Sequence, residues 1–149
     1  MNLRPPVNID ALMKEWSEDT TIDSTNVDLE LLKIGSLHSK YLNILSQHRL
    51  LVKDAEFKYN RMKKLKWEYY SGKMSEEDLA KHGWEPFSFK LKSDIPTYME
   101  ADEDIIRIQE KKVYHEEAVK VIEYILNELK QRTWQLRSYI DWEKFVGGQ

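Results

Sequence analysis

The chain has 149 residues, 41% apolar and 33% charged, with a net charge of -3 and no cysteine. That length suits one soluble domain with a sizeable core. The lack of cysteine excludes a disulfide framework and thiolate metal sites, and agrees with a reducing interior. No run approaches the roughly 18 apolar residues of a membrane span, and Met1 to Pro6 lacks the apolar core of a signal peptide, so the expected location is the cytoplasm.

Five glycines and four prolines leave few breaks, so long helices are expected. Residues 1–20 read as a Pro-bounded tail and a short helix, with Asn8 as N-cap and Leu12, Met13 and Trp16 on one face. Ile22 to Thr25 supplies capping oxygens and opens an uninterrupted helical pattern over residues 22–72, closed by Gly72. Positions 31, 34, 38, 41, 45, 48, 52, 55, 59, 62, 66 and 69 of this helix alternate spacings of three and four. Most are apolar or aromatic, and His38, His48 and Lys66 interrupt an otherwise simple seam.

The end of this helix, Arg61 to Gly72, is the most informative segment. Residues 49–73 hold eight cations (Arg49, Lys53, Lys58, Arg61, Lys63, Lys64, Lys66, Lys73) against three acids (Asp54, Glu56, Glu68), a local charge of +5 in an acidic chain. Trp67, Tyr69 and Tyr70 are interleaved with them. Cations neutralise phosphates and flat rings stack on unpaired bases, so this mixture points to single-stranded nucleic acid bound without sequence preference. At about 100° per residue, Tyr59, Lys63, Lys66 and Tyr70 form one stripe, Met62, Leu65 and Tyr69 face the core beside it, and Arg61 and Lys64 lie further round. The candidate binding residues are Arg61, Lys63, Lys64, Lys66, Trp67 and Tyr70.

Residues 73–98 read as a connector. Ser75 to Asp78 forms a capping box for a short helix that Gly83 closes. Phe87, Phe89 and Leu91 then alternate with polar residues between Pro86 and Pro96, the pattern of an edge strand or extended loop. Residues 99–146 read as a second long helix, entered through the acidic group Glu100, Asp102, Glu103 and Asp104. Val119, Ile122, Leu126, Leu129, Thr133, Leu136 and Ile140 keep heptad spacing, and Val121, Tyr124 and Ile125 add a second apolar stripe.

The fold class is therefore mainly all-α, with two long amphipathic helices, short helices and a short edge strand. Two helices of this length would each extend about 60 Å at a rise of ~1.5 Å per residue. Apolar surface on that scale favours a homo-oligomer packed through Val119, Ile122, Leu126, Leu129, Leu136 and Ile140, over an antiparallel hairpin within one chain. No two histidines have zinc-ligand spacing, and no phosphate loop or nucleophile elbow occurs. Neither a metal, a cofactor nor catalysis is expected.

Three segments resemble the UvsY family of phage recombination mediators: Ile22 to Thr25, the basic stretch ending in Tyr-Tyr-Ser-Gly at Lys64 to Gly72, and the Ala-Asp-x-Asp start at Ala101 to Asp104. They occur in the family's order and span roughly residues 20–140. The resemblance implies a homo-oligomeric ring in the host cytoplasm that binds single-stranded DNA, helps displace the phage single-strand-binding protein and nucleates recombinase filaments. It carries the DNA-contacting pair of cations onto Lys64 and Lys66 and the self-assembly role onto the C-terminal helix. Lys66 stands where some members have arginine, which keeps the charge and loses the bidentate fork. A coiled-coil adaptor that does not bind nucleic acid is the alternative.

Overall fold

The computed structural model describes residues 8–88 and 91–148. Its elements are α1 (Ile9–Asp19), α2 (Val27–Tyr70), α3 (Glu76–His82), a 3-10 turn (Lys92–Asp94), α4 (Ile95–Glu100) and α5 (Glu103–Val146). No strand occurs among the described residues. Of the alternating segment, Trp84 to Ser88 is irregular, Phe89 and Lys90 lie outside the described residues, and Leu91 leads into the 3-10 turn. Phe87 packs on Tyr69, Tyr70 and Tyr98 instead of lying on a sheet.

The helix ends follow local chemistry. Asn8 caps α1 by accepting from the Ala11 N–H at 2.7 Å. The Ile22 to Thr25 segment is a turn preceding α2, not its first residues. There Asp23 Oδ1 accepts from the Thr25 N–H at 2.9 Å and from its hydroxyl at 2.6 Å. Those bonds, with one from Asn26, hold the Asp23 carboxyl at a pKa of about 2. At the other end of α2, Gly72 adopts φ 72°. Its N–H reaches the Tyr69 carbonyl at 3.2 Å and the Lys73 N–H reaches Glu68 at 3.0 Å, the paired bonds of a Schellman cap. Gly83, at φ 68°, closes α3 likewise, with the Trp84 N–H on the Leu79 carbonyl at 3.0 Å.

The second long helix starts later than its pattern predicts. Asp102 Oδ1 accepts from the N–H groups of Asp104 (3.0 Å) and Ile105 (3.2 Å). A capping aspartate takes non-helical backbone and so interrupts the helix, which is why α4 ends at Glu100 and α5 begins at Glu103.

The described residues divide into two compact units, one within Met1–Leu50 and His115–Gln149, the other within Leu51–Tyr114. In the first, Leu12 of α1, Tyr41, Ile44 and Leu45 of α2, and Ile122, Ile125 and Leu129 of α5 form the core, with Trp16, Leu37, Val119, Val121 and Leu126 packed around it. Each such aliphatic side chain, fully buried, contributes about 1.5–3 kcal/mol. The Tyr41 hydroxyl donates to Asp19 at 2.7 Å, and Arg132 donates to Thr20 at 2.7 Å, which ties α1 to both long helices. His48, an apparent interruption of the seam, is fully buried with its Nδ1 3.1 Å from that of His115. At that separation one ring donates and the other accepts.

In the second unit α2 and the first turns of α5 run antiparallel, with Glu56 opposite Lys112 at 3.6 Å and Lys66 opposite Asp104 at 2.9 Å. Ala55, Ile95 and Ile105 are buried. A ring cluster of Tyr69, Tyr70, Trp84, Phe87 and Tyr98 completes the unit, its centroids 4.9–5.9 Å apart.

Candidate nucleic-acid interface

The last turns of α2 present two chemically opposite faces. On the inner face Lys66 is only 5% exposed. Its ammonium lies 3.0 Å from Asp102 Oδ2, 2.9 Å from Asp104 Oδ2 and 3.9 Å from the centre of the Trp84 ring. The cap that closes α3 at Gly83 is what delivers that indole. Burial alone would lower the Lys66 pKa, but hydrogen bonds and charge from Asp104 and Asp102 more than offset it and raise the value. Burial likewise works to raise the Asp102 pKa and is overcome by the Tyr70 and Lys66 hydrogen bonds, leaving it lowered.

Tyr70 is part of the same arrangement. Its hydroxyl donates to Asp102 Oδ2 at 2.6 Å, and its ring meets Phe87 edge-on at 4.9 Å. Burial, followed by that hydrogen bond and the carboxylate charge, raises its pKa. Lys66 and Tyr70, expected on the DNA-facing surface, are therefore turned inward. A lysine flanked by two carboxylates has no free charge for a phosphate. The helical stripe that grouped them with Lys63 took no account of Asp102, 36 residues beyond Lys66 and 32 beyond Tyr70.

The outer face borders a groove of about 950 Å³, lined from α2 by Tyr59, Asn60, Lys63, Lys64 and Trp67, and from the chain beyond by Lys73, Lys92, Ile95, Pro96, Met99, Ile105 and Gln109 among others. Lys64 is 80% exposed at its side chain and only 4.0 Å from Glu68, a loose pair. Among the described residues Lys63, Lys73 and Lys92 form no ion pair. Instead the Lys63 ammonium lies 5.8 Å from the Tyr59 ring centre and that of Lys73 lies 4.4 Å from the Trp67 ring centre. Trp67 itself is 44% exposed.

Of the residues picked out by sequence, the structure brings Lys63, Lys64 and Trp67 together at this groove. Arg61 is exposed and does not line it. Sequence reasoning counted Lys73 only as charge and missed Lys92 and the apolar wall of Ile95, Pro96, Met99 and Ile105. The sole signal for Lys92 was its charge in a segment read as a strand edge, and only tertiary packing sets it opposite α2.

The heptad residues of α5 also have definite positions. Ile122 and Leu129 are fully buried and Leu136 is 4% exposed, within the chain's own fold. Val119 and Leu126 pack on that core, and Ile140 is half-buried. The apolar side chains of α5 left exposed are others, including Tyr124, Trp134, Trp142 and Phe145, at 60–77%. Among the described residues no group of His, Asp and Glu is arranged to hold a metal ion, and no helix is long and apolar enough to cross a membrane.

These features define an all-α protein with a cationic, ring-bearing groove, the surface type used to bind single-stranded nucleic acid. The chain belongs to the UvsY family: residues 15–149 match the family described as "Recombination, repair and ssDNA binding protein UvsY". It is 24% identical over 143 residues to the recombination protein uvsY of Enterobacteria phage T4, covering 96% of this chain and 100% of that one. Crystal structures of the bacteriophage T4 recombination mediator protein UvsY are similar in fold. One lattice form superposes with a TM-score of 0.80 at 25% identity, covering 94% of this chain and 98% of that one. Another gives 0.79 at 26% identity, covering 91% and 98%.

Proposed function

We propose that this chain is a recombination mediator that binds single-stranded DNA through Lys63 and Lys64 on α2 and Lys73 just beyond it, with Lys92 across the groove. It helps displace a single-strand-binding protein and loads a recombinase onto the freed strand in the host cytoplasm. The observation that carries the reading is the groove itself: three lysines without carboxylate partners among the described residues, and a fourth only loosely paired, line it with an exposed indole in a chain of net charge -3. Such a concentration of uncommitted cations in an acidic protein suits a polyanion.

Self-association multiplies the grip. The exposed rings along α5 suit contact with further copies of the chain, and a ring of weak sites binds tightly overall while each site exchanges singly. That property suits a mediator, which must let go of the strand it delivers. Lys66 serves here as an internal strut that fixes the outer face.

The test is single-stranded DNA binding across a salt series. Affinity should fall steeply with salt, with a slope of about 0.7 per neutralised phosphate. Replacing Lys63 and Lys64 together with Ala should flatten that slope. Failure to bind unpaired DNA in dilute buffer would end the proposal.

A further inference from the structure

Resting on the reading of the groove as the single-strand site, we propose that it takes a nucleobase out of the strand and seats it against Trp67, with the flanking phosphates on the surrounding lysines. The backbone of a single strand needs only a cationic track. This groove has more than a track, because Ile95 and Ile105, 7% and 5% exposed, line it together with Pro96, Met99 and the lysines. An apolar wall gives a phosphate nothing and gives the face of a base a dry place to lie. The volume of about 950 Å³ lies at the upper end of the range on the order of 300–1,000 Å³ typical of small-molecule sites, ample for one base with its sugar.

Two further features match that occupant. The Lys73 ammonium rests 4.4 Å from the centre of the Trp67 ring, on the electron-rich surface that a base would use. A base stacking on that side displaces Lys73 toward the phosphate that enters with it, so one movement serves both charges. Asn60 and Gln109 line the same groove and present amide groups that both donate and accept, so any of the four base edges finds a partner without being selected. Binding stays blind to sequence yet depends on a base being present.

The experiment compares an ordinary oligothymidylate with an abasic strand of equal length and phosphate number, at one salt concentration, on the full chain. The wild-type protein should bind the abasic strand about tenfold more weakly, the worth of a stacked base. Trp67→Ala should erase that difference by weakening oligothymidylate alone, and Trp67→Phe should restore part of it. Equal binding of the two strands by the wild-type protein overturns base seating and leaves single-strand binding standing. A difference that survives Trp67→Ala places the base elsewhere and overturns the assignment to this groove. A polyglutamate chain of matching charge that competes as well as oligothymidylate means that the groove reads charge alone, and overturns it too. If neither strand binds, the underlying reading of the groove fails, a result distinct from these.

Discussion

The Lys66 ammonium lies 3.0 Å from Asp102 Oδ2, with the two side chains 7% and 4% exposed. An ion pair this enclosed is costly to break from one side, because the remaining charge is stranded in a poorly hydrated site. Two lysines two residues apart thus have opposite duties: Lys64 projects into solvent and Lys66 holds the fold.

Asp102→Asn should therefore destabilise the protein by about 1.5–3 kcal/mol, the worth of the charge-assisted hydrogen bonds it loses, while Asp104 at 2.9 Å keeps Lys66 partnered. Lys66→Ala should do the same, and at temperatures where it stays folded its DNA affinity should remain close to that of the parent. Denaturant titration beside a binding assay checks both. Loss of DNA binding in a Lys66 variant of undiminished stability would return this lysine to the interface.

The pair also sets a pH signature. Asp102 has a lowered pKa, because hydrogen bonds from Tyr70 and Lys66 outweigh the effect of burial. Its contribution is present above the ordinary value of 3.8 and drains away as pH falls through the lowered one. Lys66 has a raised pKa, so its contribution is complete below 10.5 and is lost as pH climbs through the raised value. Between those limits this pair should leave stability flat. In Asp102→Asn the acid loss should be shallower, as chemical melts from pH 2 to 7 would record (about one unit of pH per step suffices).

The groove lysines should behave in the contrary manner. Ala at Lys63, Lys64 or Lys73 should each reduce the salt slope of single-strand binding by about 0.7. Because these side chains are exposed, stability should stay within about 0.5 kcal/mol of the parent. A slope unchanged by all three substitutions would place the strand on another surface.

Leu129 and Trp142 make a discriminating pair on α5. Leu129 is fully buried in the chain's own core, so Leu129→Ala should cost about 2–5 kcal/mol of folding stability. Trp142 is 60% exposed, so Trp142→Asp should leave the thermal melt of a dilute protomer nearly unchanged while reducing the mass of the proposed homo-oligomer. Light scattering and circular dichroism together separate the outcomes.

Much of the fold was legible in the residues. Asn8, Ser75, Gly72 and Gly83 mark helix ends through local bonds, and those ends lie where the side chains predict. The long period of apolar residues likewise gave α2 and most of α5. What the residues concealed was partnership across the chain. Ile122 and Leu129 keep a heptad whether the facing helix belongs to the same chain or to another, since knobs fit holes in either case. Lys66 looks like its neighbours until Asp102 and Asp104 are set opposite it. The alternation of Phe87, Phe89 and Leu91 imitates a strand. For the described Phe87, aromatic packing takes the place of a sheet neighbour, because Tyr70 and Tyr98 offer its ring 4.9 and 5.0 Å contacts.

Asp102 divides its labour between its two oxygens: Oδ1 holds the opening amides of α5, and Oδ2 receives Lys66 and Tyr70 from the close of α2. One carboxylate thus rivets two helix ends in a single alignment. A slip of one turn, about 5.4 Å along either axis, would undo the rivet on both sides together. Lys64 on one bank of the groove and Met99 on the other are accordingly held by the same rivet, so a strand bound at the proposed site would meet a gauge already set.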